Sequence, residues 1–336
     1  MTDPAHLPRI AVIGCGGTIS SLGSSSLDVL DYPEFGQKLD IDVILERVPE
    51  ARRVAEPIGV RFRNVGSTAI GPTEWAELRV LIHGIVAAQP GLAGIVILHG
   101  TATLEETAFF LNLTLRIAIP VVLVGAQRPI SAVSSDAGMN LVSALRVAGD
   151  PQARGKGVLV VLNDEIHAAR DVVKTSTYRV QTFRSLDFGA LGHVDGDGVH
   201  FYRAPLRRHA PETEFTTLEE IVLPRVDIVY SYGGADGVMV EAAMAAGARG
   251  IISAGLAPGI PTPLERAAFA RAAASGVVIV QATRAVSGRV APRRHLRDES
   301  IVAADDLSPQ KARILLALGL LRTKSIAELQ RMFHAY

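Results

Sequence analysis

Short apolar runs alternate with longer amphipathic stretches over the first half of the chain. The runs are rich in β-branched residues and continuous in their hydrophobicity, which is typical of strands buried on both faces of a parallel sheet. They fall at 10–13, 94–98, 121–124 and 158–162. Helices are predicted at 73–88, 104–118 and 136–148. The pattern predicts an α/β domain.

A second series of the same kind begins near residue 223. Its strands are predicted at 227–230, 250–252 and 277–280, and its helices at 236–246, 263–275, 308–319 and 325–333. The segment 203–222 is polar and rich in Pro, Arg and Glu, as linkers are. We therefore predict an N-terminal catalytic domain 1–202, a linker 203–222 and a C-terminal domain 223–336. Each domain is expected to be a largely parallel sheet flanked by helices.

The composition narrows the function classes. Hydrophobic residues make up 48% of the chain, which is enough for a large core. Lys plus Arg and Asp plus Glu both number 34, so no basic excess favours nucleic acid or an anionic membrane. A single cysteine and nine histidines without a ligand-like spacing favour neither a metal nor another cofactor. The apolar run at 10–13 is too short for a signal peptide or a membrane span, so a cytoplasmic protein is expected.

Chemistry is expected at the carboxyl ends of the strands, where open parallel sheets bind ligands. The first such segment is Gly14-Cys15-Gly16-Gly17-Thr18-Ile19. A dinucleotide fingerprint would require a third glycine at Ile19, so that interpretation is weak. Thr18 then presents a hydroxyl at a strand end as a candidate nucleophile, although this segment on its own is more typical of a glycine turn whose threonine caps a helix. Cys15 is expected to be buried packing rather than a nucleophile.

Two further segments carry candidate groups. Thr101 lies just before a predicted helix, where backbone N–H groups could bind an oxyanion, and capping is its alternative role. Residues 103–106 are expected to form a capping box. Only five of the 34 basic residues are lysine, so Lys174 within Val-Val-Lys-Thr suggests a buried amine with a lowered pKa, with a surface lysine as the alternative.

Together these segments resemble the bacterial L-asparaginase/glutaminase family over nearly the whole chain. The resemblance rests on motifs in the family's order: Gly16-Gly17-Thr18-Ile19, Val65-Gly66-Ser67, His99-Gly100-Thr101-x-Thr103, and the stretches 124–129, 157–164, 170–175 and 309–313. It implies a two-domain asparaginase-like fold and hydrolysis of a small amide through a threonyl acyl-enzyme. It also implies a homo-oligomer, a dimer or tetramer, in which a neighbouring chain completes each site.

The resemblance assigns roles to individual residues. Thr18 would attack the substrate, with Tyr32 against its hydroxyl. Thr101 and Lys174 would form a second reactive set, and Ser67 would contact the substrate carboxylate. The remaining substrate-binding positions would be Gly17, Thr68, Gly100, Ala102 and His295.

The chain departs from the family at the positions that recognise substrate. Ala102 replaces the aspartate that binds the substrate's α-ammonium, and Thr68 replaces a glutamine. The acid donated by the neighbouring chain falls at His295, although Asp298 or Glu299 could take its place. Since a buried ammonium without a counter-charge costs several kcal/mol, we predict retained acyl transfer with altered substrate recognition.

Three function classes remain open. The first is an amidohydrolase, either atypical or an ordinary asparaginase. The second is a non-catalytic relative that only binds a ligand, and the third is a nucleotide-dependent oxidoreductase. Release of ammonia from amides distinguishes the first from the second, and nucleotide binding tests the third.

Overall fold

The computed structural model describes residues 7–336, which form one compact unit ending at Glu220 and a second unit, Ile221–Tyr336. Both units are α/β, as predicted. The strands of the first unit are β1 (Arg9–Gly16), β2 (Glu56–Val65), β3 (Gly94–Leu98), β4 (Val121–Val124), β5 (Val158–Leu162), β6 (Glu165–Ala168), β7 (Val173–Lys174), β8 (Phe183–Arg184), β9 (Gly192–Val194) and β10 (Val199–Phe201). Its helices are α1 (Tyr32–Phe35), α2 (Ile41–Arg47), α3 (Pro72–Ala88), α4 (Leu104–Thr114) and α5 (Ala137–Gly149).

The main sheet of the first unit has eight strands in the order β10-β9-β6-β5-β4-β3-β1-β2. The strands from β5 to β2 in this order pair in parallel. The four apolar runs seen in the sequence are β1, β3, β4 and β5, which lie side by side in the buried centre, and this prediction is confirmed. Because β1 and β3 are parallel neighbours, the loops that follow them emerge at the same edge of the sheet.

Two parts of this sheet were not predicted from the sequence. The edge strand β2 alternates partly buried and exposed positions and carries arginines at exposed ones, so it lacks a continuous apolar run. The strands β6, β9 and β10 extend the other end of the sheet by antiparallel pairing. They are only three or four residues long, too short to show a periodicity.

The predicted helices of the first unit are present, with one shorter than expected. Helix α4 ends at Thr114 instead of continuing to 118. Arg79 Nε donates to the Thr114 carbonyl at 3.1 Å, so a side chain satisfies an acceptor at the helix end. The same arginine donates to the Leu218 carbonyl at 2.5 Å. The chain from residue 210 to 219 therefore packs on the first unit, and that unit extends past residue 202.

The second unit contains a four-stranded parallel sheet in the order β11-β12-β13-β14. Its strands are β11 (Val226–Tyr230), β12 (Gly250–Gly255), β13 (Val278–Thr283) and β14 (Val302–Ala303), and its helices are α6 (Val238–Ala245), α7 (Pro263–Ala274), α8 (Arg294–Asp298), α9 (Pro309–Leu320) and α10 (Ile326–Ala335). Helix α9 begins at the predicted Ser308-Pro309 boundary. Within residues 7–336, no helix is long and apolar enough to cross a membrane.

Candidate active site

Glycines bring three loops of the first unit into direct contact at the carboxyl edge of the sheet. Gly17 has φ +84°, and a Cβ on it would lie 2.2 Å from the Cα of Gly100. A Cβ on Gly100 would lie 2.7 Å from the Cβ of Ser67. Any larger residue at either glycine would push the loops apart. The first and second sequence motifs therefore meet backbone to backbone, and the side chain of Ser67 packs directly against Gly100.

Thr18 and Tyr32 form the first hydroxyl pair of this edge. Thr18 follows Gly17 directly, and its Oγ1 lies 2.8 Å from the Tyr32 hydroxyl, where either group can donate. The hydroxyls of Ser20 and Ser21 both donate to the Gly17 carbonyl at 2.9 Å. These two bonds fix the turn that carries Thr18, so its hydroxyl is held in one place beside a phenol.

Thr101 and Lys174 form the second pair. Thr101 follows Gly100 directly, and Lys174 Nζ donates to its Oγ1 at 2.7 Å. Burial lowers the pKa of the Lys174 amine, and the negative charge of Glu105 raises it in part. The side chain is half-buried, and the direction of this pKa shift is the one that the sequence suggested. Each contacting glycine is thus followed by a threonine whose hydroxyl is bonded to a group that can carry a proton.

Glu105 was not identified from the sequence. It lies in the first turn of α4 and is buried. Its Oε2 accepts the backbone N–H of Lys174 at 2.5 Å, across 69 positions of chain. The sequence gives no signal for this contact, because acidic residues are common in the first turn of a helix.

The capping box predicted at 103–106 is wrong. Thr103 is the N-cap of α4 but makes no side-chain capping bond. Its hydroxyl donates instead to the Ser67 carbonyl at 2.8 Å, and the Ala102 N–H donates to Ser67 Oγ at 3.2 Å. Because Ser67 Oγ accepts from Ala102, its own hydrogen is directed elsewhere and can be donated to a ligand. The side chains of Ala102 and Thr68 are exposed beside it.

The buried side chain of His99 links the Gly100–Thr101 loop to the helices behind it by hydrogen bonds. Trp75 Nε1 donates to Thr107 Oγ1 at 2.9 Å, Thr107 Oγ1 lies 3.0 Å from His99 Nε2, and His99 Nδ1 lies 2.8 Å from the Gly100 carbonyl. Burial lowers the pKa of His99 to about 4, so the ring is neutral at pH 7. All of these bonds are satisfied when Nδ1 carries the proton and Nε2 accepts from Thr107.

Cys15 plays no part in this chemistry. Its side chain is fully buried, and burial raises the pKa of the thiol to about 12. Since the thiolate is the reactive form of cysteine, Cys15 is a packing residue, as predicted.

The predicted substrate residue His295 belongs to the second unit. It lies on α8 and is partly buried. The two alternative acids already have ion-pair partners: Asp298 pairs with Arg294 at 3.7 Å, and Glu299 pairs with Arg266.

One group of side chains has the composition of a metal site. Asp195, Asp197 and His200, on and beside the β9–β10 hairpin, have ligand atoms within 4.8 Å of one another. Asp197 and His200 already form a hydrogen bond of 3.1 Å, and both acids are exposed. None of the three contributes to the hydroxyl pairs described above.

Known proteins resemble the chain over its full length. The asparaginase N-terminal family model matches residues 9–207, and the glutaminase/asparaginase C-terminal model matches 225–333. "L-asparaginase 2" of Bacillus subtilis is 38% identical over 100% of this chain and 88% of its own length. "Probable L-asparaginase periplasmic" of Haemophilus influenzae is 38% identical over 100% of this chain and 95% of its own.

Solved structures agree with the sequence relatives. The "Probable Cytoplasmic L-asparaginase from Campylobacter jejuni" is 37% identical, with a TM-score of 0.92 over 98% of this chain and 100% of that one. Two matched domain models, full-length relatives and a shared fold lead to one conclusion: this chain is a member of the asparaginase/glutaminase family.

Proposed function

We propose that this chain hydrolyses the C–N bond of a small amide, with Thr18 as nucleophile. The observation that carries the proposal is the pair of threonines that follow the contacting Gly17 and Gly100. One threonine is hydrogen-bonded to Tyr32 and the other to Lys174. Membership of a family whose relatives are named asparaginases supports the same reaction class.

The first half of the reaction forms an ester on Thr18. Its Oγ bonds to the amide carbonyl carbon while its proton leaves along the hydrogen bond to Tyr32, which relays it to the departing nitrogen. The carbonyl oxygen becomes an oxyanion, and backbone N–H groups beside Thr101 stabilise it. The C–N bond then breaks, ammonia or an amine leaves, and the acyl group stays on Thr18.

The second half releases the acid. The neutral Lys174 amine takes a proton from water through the Thr101 hydroxyl, and the water oxygen attacks the ester carbonyl. Collapse of that intermediate breaks the bond to Thr18 Oγ, and the proton held by Lys174 returns through the Thr101 hydroxyl to Thr18 Oγ, so the amine is neutral again. The lowered pKa of Lys174 supports this role, because it raises the neutral fraction of the amine near pH 7.

The substrate is proposed to lack an α-ammonium group. At the edge formed by Ser67 and residue 102, the described hydrogen bonds come from hydroxyl and backbone groups, and Ala102 brings no charge. An ammonium that loses water there gains no carboxylate, whereas a neutral group avoids that penalty. An ordinary asparaginase that takes its acid from Asp298 or Glu299 is the alternative.

Ammonia release tests both parts of the proposal. The panel is L-asparagine, L-glutamine, succinamic acid and a neutral amide, and the enzymes are the parent, Ala102→Asp and the matched neutral control Ala102→Asn. We expect the parent to prefer amides without the α-amino group. Ala102→Asp should raise relative kcat/KM for L-asparagine about tenfold, equivalent to about 1.4 kcal/mol, and Ala102→Asn should not.

Two other results would redirect the assignment. Efficient and preferred hydrolysis of L-asparagine by the parent would make the chain an ordinary asparaginase. Amide binding without ammonia release from any member of the panel would make it a ligand-binding relative.

The assembly and location of the protein are also proposed. We propose a homo-oligomer in which α8 of a neighbouring chain, with His295, borders each site, and light scattering with an interface variant would test it. We propose that it acts in the cytoplasm, the compartment for which the similar Campylobacter jejuni protein is named. The Haemophilus influenzae relative is named periplasmic, so cell fractionation decides between the two compartments.

A further inference from the structure

Lys174 lies on an unusually small piece of secondary structure. Strand β7 is two residues long and, within residues 7–336, pairs with β8 alone, Val173 opposite Arg184 and Lys174 opposite Phe183. A two-stranded ribbon of this length has little stability of its own. Strand pairing of this length contributes little to holding the Lys174 amine 2.7 Å from Thr101 Oγ1.

Glu105 supplies a second attachment from a rigid element. It is 5% exposed and lies in the first turn of α4, a helix whose residues are almost all buried. Its carboxylate accepts the backbone N–H of Lys174 at 2.5 Å. Since Thr101 closely precedes the same helix, α4 sets the position of both members of the Thr101–Lys174 pair.

The Glu105 carboxylate also acts on the lysine through its charge. Two effects set the pKa of the Lys174 amine: burial lowers it, and the Glu105 charge raises it. The residue next to Thr101 is Ala102, which brings no charge to this pair. A buried amine without a negative neighbour would lose its proton at a still lower pH.

We propose that Glu105 is a positioning residue for Lys174: its carboxylate holds the lysine backbone beside Thr101 and supplies the negative charge that residue 102 does not carry. The proposal depends on the proposed function in that it treats Lys174 as the proton acceptor of an amide hydrolase. It predicts that charge and position can be separated by substitution at residue 105.

Two variants make that separation. Glu105→Gln is isosteric and keeps a carbonyl oxygen for the Lys174 N–H, but it removes the charge. Glu105→Asp keeps the charge on a side chain one methylene shorter, which weakens the hydrogen bond. Glu106→Gln, at the next position of the same helix, is the matched control.

The first readout needs no substrate. Acetic anhydride modifies neutral amines, and mass spectrometry of the peptide containing Lys174 gives the pH midpoint of its reactivity. Glu105→Gln should lower this midpoint by about one pH unit, the low end of the range for loss of a nearby opposite charge. Glu105→Asp and Glu106→Gln should leave it within a few tenths of a unit.

The second readout is the pH profile of kcat. Because the neutral amine is the active form, Glu105→Gln should move the rising limb to lower pH by the same amount. Glu105→Asp should keep the limb in place but lower kcat at least about tenfold with little change in KM, since a displaced catalytic group loses rate more than binding.

Each half of the proposal can be overturned separately. An unchanged midpoint in Glu105→Gln refutes the charge role, and a kcat for Glu105→Asp equal to that of Glu106→Gln refutes the positioning role. If Glu105→Gln does not fold, Glu105→Asp still tests positioning. A parent that released no ammonia would refute the proposed function, whereas the reactivity midpoint of Lys174 would still test Glu105.

Discussion

Mild acid should destabilise the first unit by more than protonation of its carboxyl groups would alone. The additional loss comes from His99. Burial lowers the pKa of this ring from the ordinary 6.5 to about 4. Between these two values the unfolded chain binds a proton and the folded chain does not, so the stabilisation is complete above about pH 6.5 and is lost as pH falls towards 4. Through this linkage, the free energy of unfolding should fall by about 2 kcal/mol between pH 7 and pH 4.5.

The assay uses the only tryptophan of the chain, which is part of the same hydrogen-bonded network. Urea unfolding followed by Trp75 fluorescence at the two pH values would be compared between the parent and His99→Gln. The variant should be less stable at pH 7 by about 1–3 kcal/mol, because Thr107 and the Gly100 carbonyl lose a buried partner. Its further loss on acidification should be about 2 kcal/mol smaller than that of the parent. Equal losses in the two proteins would show that His99 is not the buried neutral group described here.

Three further predictions concern the candidate nucleophile, the cysteine and the lysine. Thr18→Ala should reduce ammonia release to background while leaving the urea midpoint unchanged, and fragment spectra of trapped parent should locate the acyl group on Thr18; an adduct on Cys15 would contradict the assignment. Native Cys15 should resist iodoacetamide at pH 8 and react once urea unfolds the chain, since burial raises its thiol pKa to about 12. Lys174→Met should lower kcat at least about 100-fold, and Lys174→Arg should not restore it because a guanidinium keeps its proton. Activity within a few-fold of the parent in either lysine variant would leave Lys174 a structural role only.

The central strands of the first sheet could be predicted because nearly all of their side chains lie in the same apolar interior. Strands β1, β3, β4 and β5 are buried on both faces, and continuous apolar runs follow from that burial. The edge strand β2 has one solvent-exposed face and a mixture of apolar and polar residues. It is recognisable as a strand only from its pairing with β1. The end of α4 likewise involves a residue distant in sequence, because the Thr114 carbonyl accepts from Arg79 on another helix.

The candidate site was accessible to sequence reasoning only in part. Thr18, Thr101 and Lys174 stand out through their glycine neighbours or their rarity, which are local properties. Glu105 could not be found this way, because its bond to Lys174 spans 69 positions. Thr103 was misassigned because a local capping pattern fits its sequence, whereas its hydroxyl bonds to Ser67, 36 positions earlier.

The exposed side chain at position 102 projects from a loop whose backbone is fixed by Gly17 against Gly100. Substitution there changes the group offered to a ligand without changing the path of the loop, whereas either glycine tolerates no side chain. A saturation library should therefore recover many folded variants at position 102 and almost none at the two glycines. Single substitutions at position 102 can then change substrate preference while the glycines keep the catalytic loops in place. This is one route by which related enzymes acquire new substrates.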